Sequence, residues 1–126
     1  MLSLTPELLV EDIQKTIDWY KTTLDFEVIF SSPDTGIPTF ARIKRGSVEI
    51  MFYQRVEFAK EISTFSTTHL GGSFVLYLEV TDIMMEWAKI KNLVTIIQPL
   101  HKTTYGSQEF TIQDYNGYHL MLGERS

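Results

Sequence analysis

Few residues in this chain are suited to chemistry: three histidines, scattered glutamates and six tyrosines, with no cysteine. His119 is the natural candidate for a general acid or base, because imidazole titrates near neutrality. The competing role is a histidine that only fixes a ligand's orientation by hydrogen bonding. Glu49 stands 70 residues before it and is its candidate partner. Tyr53 and Tyr77 each offer a ring for stacking and a hydroxyl for orienting a ligand, against the plain alternative of packing. Glu7, Glu79 and Glu109 supply negative charge suited to a cationic or polyhydroxylated ligand, unless they pair with Arg42, Lys102 or water. His69, beside Gly71-Gly72, reads as a solvated side chain. The lack of cysteine removes disulfides, thiolate metal sites and a thiol nucleophile, and it fits a cytoplasmic protein. There is no Gly-rich phosphate loop, no Gly-x-Ser-x-Gly elbow and no His-Glu-x-x-His helix.

These residues are carried by a pattern that occurs twice. Phe110 to Glu124 contains two alternating runs around Asp114-Tyr115-Asn116-Gly117, and Asn-Gly between such runs signals a hairpin. Phe40 to Phe52 is its earlier counterpart. Phe40 leads to Phe110 and Met51 to Met121, both at an offset of 70. The same offset carries Val10, Asp12 and Ile13 onto Val80, Asp82 and Ile83. One module has been used twice.

In the first copy, Leu2 to Val10 reads as a strand in which Pro6 marks an edge or a bulge. Asp12 caps a helix from Ile13 to Leu24, whose apolar residues Ile13, Ile17, Tyr20 and Leu24 form one stripe. Phe26 to Phe30 is a strand, Ser31 to Gly36 a loop, and Phe40 to Lys44 with Val48 to Tyr53 a hairpin through Arg45-Gly46. The second copy repeats this: a strand over Ser73 to Val80, a helix from Asp82 to about Asn92, a strand over Val94 to Gln98, a loop from Pro99 to Ser107 and the closing hairpin. Trp87 falls on the buried face of its helix. The expected organisation is one α+β domain of two β-α-β-β-β modules, residues 1–54 and 73–126, related by internal pseudo-symmetry. A polar connector, residues 55–72, joins them and contains a short helix over Glu57 to Ile62. Neither half is large enough to bury a good core alone.

Bulk properties narrow the partners. A hydrophobic content of 44% with 13% aromatics is that of a globular chain. A net charge of −5 argues against nucleic acid, and the only adjacent basic pair, Lys44-Arg45, is a hairpin tip. No apolar run is long enough for a membrane span, and the N-terminus has no signal-peptide pattern.

The paired Val-x-Asp-Ile helix starts, Ile17-Asp-Trp-Tyr20, Tyr105-Gly-Ser-Gln-Glu-Phe110 and Asp114-Tyr-Asn-Gly117 together make the chain resemble the vicinal oxygen chelate superfamily, the glyoxalase/bleomycin-resistance/dioxygenase fold. Family members often carry Trp where Tyr105 stands and Asp-Pro where Asp114-Tyr115 stands. The resemblance implies mixed, curved sheets forming a cup, with helices outside, a small-molecule ligand and a homodimer. Strand alternation then turns Thr5, Glu7, Leu9, Glu49, Met51 and Tyr53 of the first copy inward. In the second copy it turns Val75, Tyr77, Glu79, Glu109, Thr111, Gln113, His119 and Met121 inward. His101 and Tyr105 belong to the loop that overhangs the cup mouth in this family.

Metal-dependent members place a His, Glu or Gln on each of four strands, at positions that correspond to Thr5, Met51, Val75 and Met121. Such a set has no donors for a hard or borderline divalent ion, and Met51 and Met121 become adaptable apolar lining. The family's parallel pairing of first and fourth strands is expected to separate Glu7 from Glu49 by about four residues, roughly 13 Å. Three readings follow. The first is a binding protein without metal or other cofactor, similar to the bleomycin-resistance proteins, with Glu7, Met51, Tyr53, Tyr77, Glu79, His101, Tyr105, Glu109 and Met121 around an aromatic or cationic ligand. The second is a lyase, isomerase or dioxygenase working through Glu49 and His119, with or without a divalent metal. The third is an interaction module whose cup is filled by its own side chains.

Overall fold

The computed structural model describes residues 1–125, and the chain divides into two compact units at the Leu70/Gly71 junction. Each unit holds a four-stranded mixed sheet with a helix packed on one face, so the chain is α+β.

In the first unit, β1 (Glu7–Val10) leads into α1 (Ile13–Leu24), followed by β2 (Glu27–Ser32), β3 (Phe40–Arg45) and β4 (Val48–Gln54). Helix α1 starts where the sequence indicates, since Asp12 accepts the Lys15 amide at 3.0 Å and relieves one unpaired N–H of the first turn. Ile13, Ile17, Tyr20 and Leu24 are all buried, and the Tyr20 ring lies 5.1 Å from that of Phe52. Val10, Ala41, Ile43, Ile50 and Phe52 form the other side of this core. The sheet order is β1-β4-β3-β2, with β1 parallel to β4 and the other pairs antiparallel. Strand β1 is shorter than the Leu2–Val10 expectation. Pro6 cannot donate to a ladder, and regular pairing begins only after its carbonyl accepts the Met51 amide at 2.9 Å. The connector folds onto this unit as α2 (Arg55–Glu61) and a 3-10 turn (Ser63–Thr67). Gln54 caps α2 by accepting the Glu57 amide at 2.9 Å.

The second unit repeats the plan with β5 (Val75–Glu79), α3 (Ile83–Ile90), β6 (Thr95–Lys102), β7 (Ser107–Gln113) and β8 (His119–Arg125), in the order β5-β8-β7-β6. Asp82 caps α3 by accepting the Met85 amide at 3.1 Å. Phe110, Ile112, Leu120 and Leu122 are buried on the α3 side, where the Trp87 ring stands 5.1 Å from Phe110. The duplication is visible in the pairing itself: Glu7 is level with Met51, and 70 residues later Tyr77 is level with Met121.

One expectation fails here. Pro99 to Lys102 is not a loop, because β6 runs on through Pro99 and sets His101 opposite Glu109. The sheet tolerates Pro99 because β6 is an edge strand whose register shifts between Gln98 and His101. Among the described residues no helix is long and apolar enough to cross a membrane.

Candidate functional site

Each sheet turns one face toward its helix and the other away, and the chemically capable residues lie on the second kind of face. In the first unit Glu7, Met51 and Arg42 form one row across β1, β4 and β3. Leu9, Tyr53 and Phe40 form the next row. Arg42 donates to the Met51 sulfur at 3.3 Å and pairs with Glu49 at 3.5 Å. That ion pair is partly exposed and adds little stability, but it holds the Glu49 carboxylate against the sheet. Glu7 lies level with Met51, so Glu49 is offset by two residues along the sheet, about 7 Å, rather than the four expected.

Tyr53 is the centre of a run of aromatic rings. Phe30, Phe40, Tyr53, Phe58 and Phe65 follow one another at centroid separations of 6.0, 5.7, 5.0 and 5.2 Å, each pair edge to face. Phe30 and Phe65, at the two ends, are exposed. The Tyr53 hydroxyl donates to Glu61 at 3.2 Å. Burial first, and the Glu61 acceptor second, raise its pKa above that of a free phenol. Phe58 and Phe65 come from the connector, whose polar composition hides them from a reading by segment.

In the second unit three rows cross the face turned away from α3. Val75, His119, Gln113 and Thr95 form the first, and Tyr77, Met121, Thr111 and Gln98 the second. Glu79, Gly123, Glu109 and His101 form the third. Glu109 is almost fully buried and accepts three hydroxyls. Tyr77 reaches it at 3.2 Å, Ser107 at 3.1 Å, and Tyr105 at 2.9 Å from each carboxylate oxygen. Thr103 lies 2.9 Å from the Ser107 hydroxyl and extends the network. Gly123 makes it possible, because a Cβ there would run into the Tyr77 ring and hydroxyl. The sequence reading had Tyr77, Tyr105 and Glu109 separately. It missed Ser107 and Gly123, although the Ser107-x-Glu109 spacing already puts both side chains on one face of a strand.

The hydrogen bond to Glu109 is the main cause that raises the Tyr105 pKa above 10.0, with burial next. A raised phenol pKa means that the bond is fully present below pH 10.0 and is lost as pH climbs through the raised value. The ultraviolet difference titration between wild type and Tyr105→Phe is therefore expected to have a midpoint above 10.0, and a midpoint at or below it would exclude the bond in solution.

The four positions that the family resemblance sets against metal ligands hold a hydroxyl (Thr5), two thioethers (Met51, Met121) and an isopropyl group (Val75). Beside them stand Glu7, His119 and Tyr77, in that order for Met51, Val75 and Met121. Among the described residues no three His, Asp or Glu side chains are grouped to hold an ion. These residues do not fit a divalent metal. Glu49 lies in the first unit and His119 in the second. His101 is half-buried, with a ring nitrogen 2.9 Å from the Pro99 carbonyl oxygen.

Two β-α-β-β-β units, alike in strand order and sharing the β1–β4 and β5–β8 register, define a duplicated α+β scaffold with one helix-free face of polar and aromatic residues per sheet. The chain belongs to the glyoxalase/bleomycin resistance protein/dioxygenase superfamily, whose family profile matches residues 4–122. It is similar to a protein of unknown function from Agrobacterium tumefaciens, with a TM-score of 0.80 and 23% identity over 100% of this chain and 95% of that one. A glyoxalase-related enzyme from Fulvimarina pelagi has a TM-score of 0.81 at 11% identity, covering 99% of this chain and 89% of the other. An uncharacterized protein of Mycobacterium bovis is 26% identical over 125 residues, 97% of this chain and 82% of its own length. The two structural likenesses speak to fold alone.

Proposed function

We propose that this is a metal-free small-molecule binding protein of its superfamily, holding an aromatic or cationic compound. The observation that carries the reading is the five-ring run through Tyr53, exposed at both ends and next to Met51, where a metal-dependent relative would place a ligand atom. Edge-to-face rings present both faces and edges to a planar guest, and a thioether adapts to irregular shapes. Glu7 adds a negative charge in the row next to Tyr53. The reading takes the protein as a cytoplasmic homodimer with a small molecule as its partner, consistent with a cysteine-free chain of net charge −5.

A panel of planar aromatic and cationic compounds, screened by thermal shift and then by calorimetry, tests this. At least one compound is expected to bind stoichiometrically, and Tyr53→Ala to weaken it about tenfold, the loss of one stacking ring. Tyr53 is only half-buried, so the variant is expected to fold. Binding that needs stoichiometric divalent metal, or turnover that appears with it, would overturn the reading.

A further inference from the structure

The duplication makes each helix an internal control for the other, since α1 and α3 start 70 residues apart and each is capped by an aspartate. Away from its sheet α1 presents Gln14, Lys15 and Asp18, all exposed, and the Gln14 amide donates to Asp18 at 3.0 Å. The same three places of α3 hold Met84, Met85 and Ala88. Met84 and Met85 are 57% and 60% exposed, Ala88 is exposed as well, and half-buried Trp87 borders them. The helical repeat of 3.6 residues puts Met84, Met85 and Ala88 on one stripe, opposite the buried side chains of Ile83, Glu86 and Ile90.

Single exposed apolar residues are ordinary, but here a whole outward stripe has turned apolar while its counterpart stayed polar. Methionine and aromatic residues are enriched at interfaces between chains, and charged residues are depleted at their centres. Helix α3 differs from α1 in that direction.

The stripe is also complementary to itself. A two-fold axis makes every contact occur twice, so one surface must match its own copy. Two α3 helices laid antiparallel about their midpoints set Met85 of one copy over Ala88 of the other, large against small. The same arrangement brings the exposed Asp82 at the start of one helix beside the exposed Lys91 at the end of the other. Opposite charges thus close both ends of an apolar centre.

We propose that the outer face of α3 is the surface on which a second copy of this chain docks, helix against helix and antiparallel. The proposal rests on the homodimer reading above and names the interface. Two turns of helix cover less than the roughly 800 Å² per partner of a standard complex, so the dimer is weak, with a dissociation constant on the order of 100 μM.

Sedimentation velocity of the full-length protein between about 10 μM and 1 mM tests this, a range that brackets that constant. Wild type is expected to pass from monomer towards dimer across the range. The triple variant Met84→Gln, Met85→Lys, Ala88→Asp gives α3 the outward residues of α1, including its Gln-Asp pair, and is expected to associate at least tenfold more weakly. Lys91→Glu is expected to weaken association about threefold, the loss of an exposed ion pair. Lys21→Glu makes the same charge change at the matching place of α1 and is expected to have no effect. Wild-type dimerisation that the triple variant retains overturns the interface and leaves the homodimer reading standing. A wild type that stays monomeric at the highest concentration removes both. Should circular dichroism show the triple variant unfolded, the two lysine variants decide, and equal association by Lys91→Glu and Lys21→Glu sinks the proposal.

Discussion

Replacing Phe110 with alanine is expected to destabilise the protein by about 3–5 kcal/mol, the range for deleting a fully buried aromatic side chain. Phe110 has no exposed surface and lies between β7 and α3, with the Trp87 ring 5.1 Å away. Its sheet partner is Leu122, and Ile83, Ile90, Ile112 and Leu120 of the same unit are equally buried. Strands on both sides fix the backbone, so the vacated space cannot collapse and the lost contacts are not recovered. Total stabilities of 5–15 kcal/mol make this a large fraction of the whole. Urea denaturation of Phe110→Ala against wild type measures it, and a loss below about 1 kcal/mol would mean that Phe110 does not face the helix.

Asp114→Ala is expected to cost about 2–4 kcal/mol for a different reason, since it strands polar groups instead of opening a void. Asp114 is 6% exposed, and its Oδ1 accepts the Asn116 amide at 2.9 Å and the buried Tyr118 amide at 2.8 Å. The backbone adds a bond from the Gly117 amide to the Asp114 carbonyl at 3.2 Å, and Gly117 takes a φ of +95°, which favours glycine. Without the carboxylate two amides lose their acceptor in a turn that sets the register of β7 against β8. Asp114→Asn keeps an oxygen acceptor and is expected to recover most of the loss. Equal destabilisation by Ala and Asn would show that the charge, and not the accepted amides, matters there.

Much of the architecture was readable because local signals and repetition agreed. Helix α1 begins and ends where Asp12 and the Ile13-Ile17-Tyr20-Leu24 stripe place it, since capping and amphipathicity are both properties of nearby residues. The offset of 70 reappears as the shared register of Glu7 with Met51 and Tyr77 with Met121. What escaped was set by contacts between strands. β6 continues through Pro99 because its edge position leaves one side of its ladder free, a fact that depends on sheet order and not on the Pro99 neighbourhood. For the same reason His101 is a strand residue opposite Glu109 and not part of an overhanging loop.

The candidate site shows the same division. Alternation correctly separated Glu109, Thr111 and Gln113 from Phe110 and Ile112, because a strand's period is fixed whatever surrounds it. That Tyr77 crosses Gly123 to reach Glu109 depends on two registers at once, β5 on β8 and β7 on β8. Likewise Phe58 and Phe65 join the ring run only when α2 and the 3-10 turn fold back on Tyr53. Composition placed them in a polar connector, where nothing marks an aromatic as a neighbour of one strand in particular.

The measurement closest to the central claim is the affinity of a bound panel compound before and after exhaustive dialysis of the protein against EDTA. If Thr5, Met51, Val75 and Met121 have given up ion holding for ligand packing, the dissociation constant stays the same. Binding that disappears on stripping and returns with zinc, nickel or manganese would contradict the account.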